Sequence, residues 1–132
     1  MIVNAAEHAW VLGDEKFPLV QEVATCPNGF PQREQSGYDL LASMQDHSVD
    51  RTVISHVCYY GSNNDYTVHC VKTWPDRFAG VGLLVGHRLF APQESEQNAD
   101  RLEELVTDGG LAGLRLSPVY DTDVEWLDDP VC

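Results

Sequence analysis

Four short apolar runs, beginning near residues 2, 52, 79 and 111, limit most strongly what this chain can fold into. The later runs are about 30 residues apart, the length of one βαβ unit. "RTVISHVCYY" (residues 51–60) is rich in β-branched and aromatic residues and ends at Gly61, the pattern of a buried strand. "FAGVGLLVG" (78–86) and "LAGLRLS" (111–117) read as the third and fourth strands. The first is the stretch from Ile2 to Leu12, closed by the Gly13-Asp14 turn. Strands apolar on both faces belong to parallel sheets covered by helices, with right-handed crossovers.

The intervening segments carry helical periodicity. In "SGYDLLASMQDH" Ser36 caps with Asp39 three residues on, and Leu40, Leu41 and Met44 share a face. In "SNNDYTVHCVKTW" the cap falls on Ser62, Asn63 or Asn64. Asp65 favours the first turn, Val68, Val71 and Trp74 form the apolar stripe, and Pro75 stops the helix. "NADRLEELVTDGG" buries Ala99, Leu102, Leu105 and Val106 and ends at Gly109. Lys16 to Gln35, with Pro18, Pro27 and Pro31, reads as a long ordered loop.

The expected order is β, loop, α, β, α, β, α, β, one unit over residues 1–132. A small open doubly wound sheet and the first half of a (β/α)8 barrel, which takes roughly 250 residues, both have this order. The chain stops after "YDTDVEWLDDPVC", where a fourth helix would begin. A partial (β/α)8 TIM barrel, its first four strands with three intervening helices and its C-terminal half absent, accounts better for that ending.

A hydrophobic content of 43%, with 4 Phe, 5 Tyr and 3 Trp, supports a packed core. The formal charge of -13 repels nucleic-acid phosphates and anionic membranes, so neither is expected as a partner. No apolar run approaches the roughly 18 residues of a membrane span, and the N-terminus lacks the basic-then-apolar pattern of a signal peptide. Cys26, Cys58, Cys70 and Cys132 have no CxxC or zinc-ribbon spacing and read as reduced thiols in a cytoplasmic protein.

Three stretches together, "IVNAAEHAW", "RTVISHVCYYGSNNDYTVHCVKTWPDRFAGVG" and "GLAGLRLSPVY", resemble the amidohydrolase-related (amidohydrolase 2) group of metal-dependent-hydrolase-like TIM barrels. Sugar-lactone and pyrone-dicarboxylate lactonases belong to that group. The resemblance runs over essentially the whole chain but over about half of such a barrel. In this family the first strand ends in His-x-His, and histidines on the fifth and sixth strands and an aspartate on the eighth finish the site. His8 matches the second histidine, while the first falls on Ala6, which has no donor atom. Side chains alternate along a strand, so positions 6 and 8 share a face and Glu7 takes the other. The resemblance thus implies one metal ligand, His8, and a divalent metal (zinc or manganese) only for the full-length parent. Catalytic zinc requires about three protein ligands plus water.

At the mouth of such a barrel His8 would bind a carbonyl oxygen, shuttle a proton or ligate metal; a buried histidine bonded to backbone is the alternative. In "LAGLRLS", Gly113, Arg115 and Ser117 alternate with Leu114 and Leu116. The leucines suit helix packing, so Arg115 points into the barrel, where a substrate carboxylate would pair with it bidentately. An internal salt bridge is the competing reading.

His56 and Cys58 share a face of the second strand, opposite Ser55, and the family pattern puts that face inward. His56 is therefore a second candidate for catalysis, and Cys58, for which the spacing identifies no base, reads as a small buried hydrophobe. Asn64 is a candidate substrate contact as well as a candidate cap. His47, His69 and His87 read as structural or solvated. The acids at Asp121, Asp123, Glu125, Asp128 and Asp129 lack the order of a calcium loop.

The resemblance implies a hydrolase cleaving a lactone or related C–O or C–N bond in a small carboxylated or sugar-derived substrate. In that scheme the present chain is inactive alone and self-associates through the open barrel edge. Decarboxylation in the same superfamily is the nearest alternative, and a non-enzymatic small α/β binding domain is the alternative from another class.

Overall fold

The computed structural model describes residues 1–20, 31–84 and 92–115. They form β1 (Val3–Glu7), α1 (Gly37–Asp46), β2 (Arg51–Ser55), a 3-10 turn (Cys58–Tyr60), α2 (Asp65–Thr73), β3 (Phe78–Leu83), α3 (Pro92–Thr107) and β4 (Gly113–Arg115). The four strands make one parallel sheet in the order β1-β2-β3-β4, the arrangement expected of the leading part of a (β/α) barrel. The ends of the third and fourth predicted strands, His87, Cys26, Cys132 and the C-terminal acidic cluster lie outside the described residues.

Register separates the two faces of the sheet. Thr52 pairs with Phe78 and Ile54 with Gly80, so these share one face. A Cβ at Gly80 would meet Val71 and Thr67 of α2, which identifies that face as the one covered by helices. The main core lies there, with Leu40, Met44, Ile54, Cys70, Val71 and Phe78 all buried. Glycine at position 80 lets α2 approach the strand closely. The opposite face carries Val53, Ser55, Val81, Leu83, Gly113 and Arg115, each only half-buried.

α1 starts where the sequence predicts. Ser36 Oγ accepts from the Asp39 backbone N–H and the Asp39 carboxylate accepts from the Ser36 N–H, a complete capping box. α2 packs the expected stripe of Val68, Val71 and Trp74 against the core and buries further residues beside it. Tyr66, Thr67, Cys70 and Val71 are buried, while Val68 and Trp74 are half-buried. Aromatic contacts widen the buried face: Tyr66 packs edge-on against Phe17, and Trp74 against Phe78. In α3, Leu102 and Leu105 are only half-buried, and Ala99 and Val106 are exposed, so the helix covers the sheet less completely than its pattern predicts. No helix among the described residues is long and apolar enough to cross a membrane.

The second strand is shorter than its β-branched run implies. It ends at Ser55, and the chain continues through His56 and Val57 into the 3-10 turn. Gly61 follows with φ 57°, a backbone angle that favours glycine.

Candidate active site

The carboxyl ends of the strands gather His8, His56, Asn64 and Arg115, from four segments of the chain. β1 is irregular where it approaches this end. Asn4 pairs with Thr52, but Glu7 rather than Ala6 pairs with Ile54, so a bulge inserts one residue between them. The bulge puts Glu7 on the face of Asn4, whose Nδ2 donates to Glu7 Oε1 at 2.8 Å. His8, one residue on, falls on the face of Ser55. Its Nδ1 lies 2.7 Å from the Ser55 carbonyl oxygen. A carbonyl only accepts, so Nδ1 donates, and the neutral ring keeps its lone pair on Nε2.

Arg115 lies on the half-buried face, in register with Leu83, as the alternation of "LAGLRLS" predicts. Its guanidinium reaches across the end of β3, and NH1 donates to the His56 carbonyl at 3.1 Å. His8 and Arg115 are thus held by the carbonyls of two consecutive residues, Ser55 and His56.

His56 itself is turned the other way from the expectation. It follows the last residue of β2, continues the helix-facing parity of Thr52 and Ile54, and is fully buried. Its Nε2 donates to the Gly61 carbonyl at 2.8 Å. Burial, with the charges of Arg115 and His8 adding to it, pushes its pKa from 6.5 down to about 4. The ring is therefore neutral, and Thr67 Oγ1 donates to Nδ1 across 3.3 Å. With both nitrogens engaged behind the sheet, His56 does not present a ring to the half-buried face. The family pattern put the His56 face inward, but in this sheet that face is the one covered by helices; Cys58, expected on the same strand face, lies beyond the end of β2 in the 3-10 turn and is half-buried.

Asn64 is also committed internally. It precedes α2 but makes no side-chain cap; Asn63 Oδ1 accepts from the Asp65 N–H instead, at 2.8 Å. The Asn64 amide is 2% exposed and clips the end of β3. Nδ2 donates to the carbonyls of Leu83 (2.8 Å) and Ser62 (3.0 Å), and Oδ1 accepts from the Leu83 N–H at 2.8 Å. Those bonds occupy both of its donors.

Two residues near the site carried no signal of their own. Tyr60, within a run read as strand, accepts from the Val11 N–H through its hydroxyl and so ties the segment after β1 to the 3-10 turn. Burial pushes that phenol up to about 12. Gln35, at the end of the expected loop, donates to the His8 carbonyl at 2.7 Å. Both contacts join residues more than twenty positions apart, beyond the reach of local patterns. The Cys70 thiol, pushed up to about 11 by burial, is unsuited to nucleophilic work.

The described residues do not fit a metal centre. Ala6 has no donor, Glu7 is bonded to Asn4, and no group of three His, Cys, Asp or Glu comes together among the described residues. A groove of about 530 Å³ lies between α2 and α3, with Lys72 and Arg101 interleaved among Asp65, Asp100 and Glu104. It belongs to the helix layer and contains neither His8 nor Arg115.

A parallel β1-β2-β3-β4 sheet covered by helices on one face, with polar side chains collected at its carboxyl ends, has the architecture of part of a (β/α) barrel. Known structures agree. A probable 2-pyrone-4,6-dicarboxylic acid hydrolase from Acinetobacter baumannii, solved with citric acid bound, superposes with a TM-score of 0.66. The match has 15% identity over 98% of this chain and 42% of that one. An Agrobacterium tumefaciens protein in its apo form matches at TM-score 0.60 and 21% identity, over 86% of this chain and 36% of its own. The 4-oxalomesaconate hydratase of Rhodopseudomonas palustris matches at 0.59 and 19%, over 99% and 46%. At these identities the likeness is one of fold, and this chain spans less than half the length of each neighbour. No family model and no curated protein matches the chain.

Proposed function

We propose that this chain supplies one half of the active site of an amidohydrolase-related barrel enzyme that adds water to a small carboxylated substrate, with lactone hydrolysis as its reaction. The observation that carries the reading is the convergence of His8 and Arg115 on the adjacent carbonyls of Ser55 and His56. Arg115 binds a substrate carboxylate, the geometry a guanidinium matches best. His8, its Nδ1 held by a carbonyl, offers Nε2 to the reacting group, as an acceptor when neutral and as a donor to a carbonyl oxygen when protonated. The group that activates water belongs to the remainder of the barrel. A hydrolase and a hydratase among the structural neighbours both suit the addition of water, and the citric acid held by one suits a polycarboxylate ligand.

Calorimetric titration of the purified chain with citrate, and with dicarboxylate lactones, tests this. Saturable binding is expected, weakened about 10- to 100-fold in Arg115→Met, the loss of a charge-assisted pair. Equal affinity in the variant overturns the role of Arg115. Expected alongside are no efficient lactone turnover by the chain alone and, by light scattering after size exclusion, self-association. Rapid turnover by a stable monomer would show that no second half is needed.

A further inference from the structure

Every polar group of His56 is spoken for. Its N–H donates to the Val81 carbonyl at 2.8 Å, its carbonyl accepts from Arg115, Nε2 donates to Gly61, and Nδ1 accepts from Thr67. The residue stands just past the last rung of the β2–β3 ladder, Ser55 with Val81, where the strand loses its regular partners. In a trans peptide the C=O and N–H point in opposite directions. Because the His56 N–H is fixed toward β3, the Ser55 carbonyl of the same peptide is aimed toward β1, where His8 Nδ1 meets it at 2.7 Å. The next carbonyl, that of His56, receives Arg115. We propose that His56 is a positioning residue: its ring ties the end of β2 to α2 and the Gly61 turn, and so sets the directions of both His8 and Arg115. The role rests on the reading of these two residues given under Proposed function.

Histidine suits the position for a stereochemical reason. A neutral imidazole offers one donor and one acceptor at fixed points of a rigid ring. Gly61 requires the donor and Thr67 the acceptor, so a single tautomer satisfies both. Phenylalanine would fill the same space but leave the Gly61 carbonyl and the Thr67 hydroxyl without these partners. Glutamine keeps a donor and an acceptor on a more flexible stem.

The test is imidazole 15N NMR of the chain, with the His8 signals identified from His8→Gln, together with citrate titration. In the parent protein neutral His8 should be the tautomer protonated on Nδ1. In His56→Phe and Thr67→Val it should become a mixture of tautomers, and citrate binding should weaken at least about tenfold. His56→Gln should recover much of both properties. Thr67→Val alters the ring's partner without touching the histidine, so the question stays answerable if His56→Phe does not fold. A folded Thr67→Val or His56→Phe protein with the parent's His8 tautomer and citrate affinity overturns the proposal. The tautomer is read without ligand. Failure of the parent to bind citrate therefore counts against the carboxylate-binding function, and an unmoved tautomer counts against the positioning role.

Discussion

Asn64 gives a quantitative test of how the end of β3 is held. Its amide makes three hydrogen bonds, two of them to the backbone of Leu83, from a side chain that is 2% exposed. At roughly 1 kcal/mol net for each bond, Asn64→Ala should cost about 3 kcal/mol. With a urea m-value of about 1.5 kcal/mol/M, the unfolding midpoint should fall by about 2 M. Asn64→Asp separates shape from hydrogen bonding, because it keeps the size and the acceptor for the Leu83 N–H but turns an oxygen toward two carbonyls. It should be destabilised at neutral pH and partly recover in acid, where a protonated carboxyl donates again. Circular dichroism during urea titration at several pH values measures both variants. An Asn64→Ala midpoint within about 0.3 M of the parent would refute the clip. Unchanged stability with weakened citrate binding would return Asn64 to the substrate-contact role that its sequence position suggested.

Two further expectations rest on burial and packing. His56 binds a proton near pH 6.5 when unfolded but only near pH 4 when folded, so its burial has no electrostatic cost above 6.5. Stability should fall by about 2 kcal/mol on going to pH 5 and by roughly 3 kcal/mol below 4. The difference between parent and His56→Gln urea midpoints across this window isolates the effect; parallel curves would sink it. Asp39, whose carboxyl is held low by Ser36, adds a loss of its own below its ordinary value of 3.8, but both proteins carry it and it cancels in the difference. A Cβ on Gly80 would stand 2.6 Å from Leu111 Cδ2 and 2.8 Å from Val71 Cγ2. Gly80→Ala should therefore cost about 1–3 kcal/mol in thermal melts, and Leu111→Val should recover part of that loss in the double variant. A neutral Gly80→Ala would mean that the helix layer sits farther from β3.

Much of this architecture is written locally along the chain. Repeated apolar runs and amphipathic segments announce alternating strands and helices, because burying one face imposes periods of 2 and 3.6 wherever it occurs. Ser36 and Asp39 announce the start of α1, since a capping box spans only four residues. The alternation of Leu114, Arg115 and Leu116 is enough to place Arg115 on the face away from the helices.

The tertiary structure alone decided the rest. Nothing in "NAAEHAW" declares the bulge that gives Glu7 the register of Ile54 and leaves His8 on the face of Ser55. In "RTVISHVCYYG" the β-branched and aromatic residues suit a strand to the end. The ladder nevertheless stops at Ser55, and His56 is claimed by a threonine on α2 and a carbonyl beyond the 3-10 turn. Asn64 could cap a helix or meet a substrate until the end of β3 takes its amide. Local patterns report which face of an element is buried. Which long-range partner satisfies a particular polar atom depends on segments brought together only when the sheet and its helices assemble.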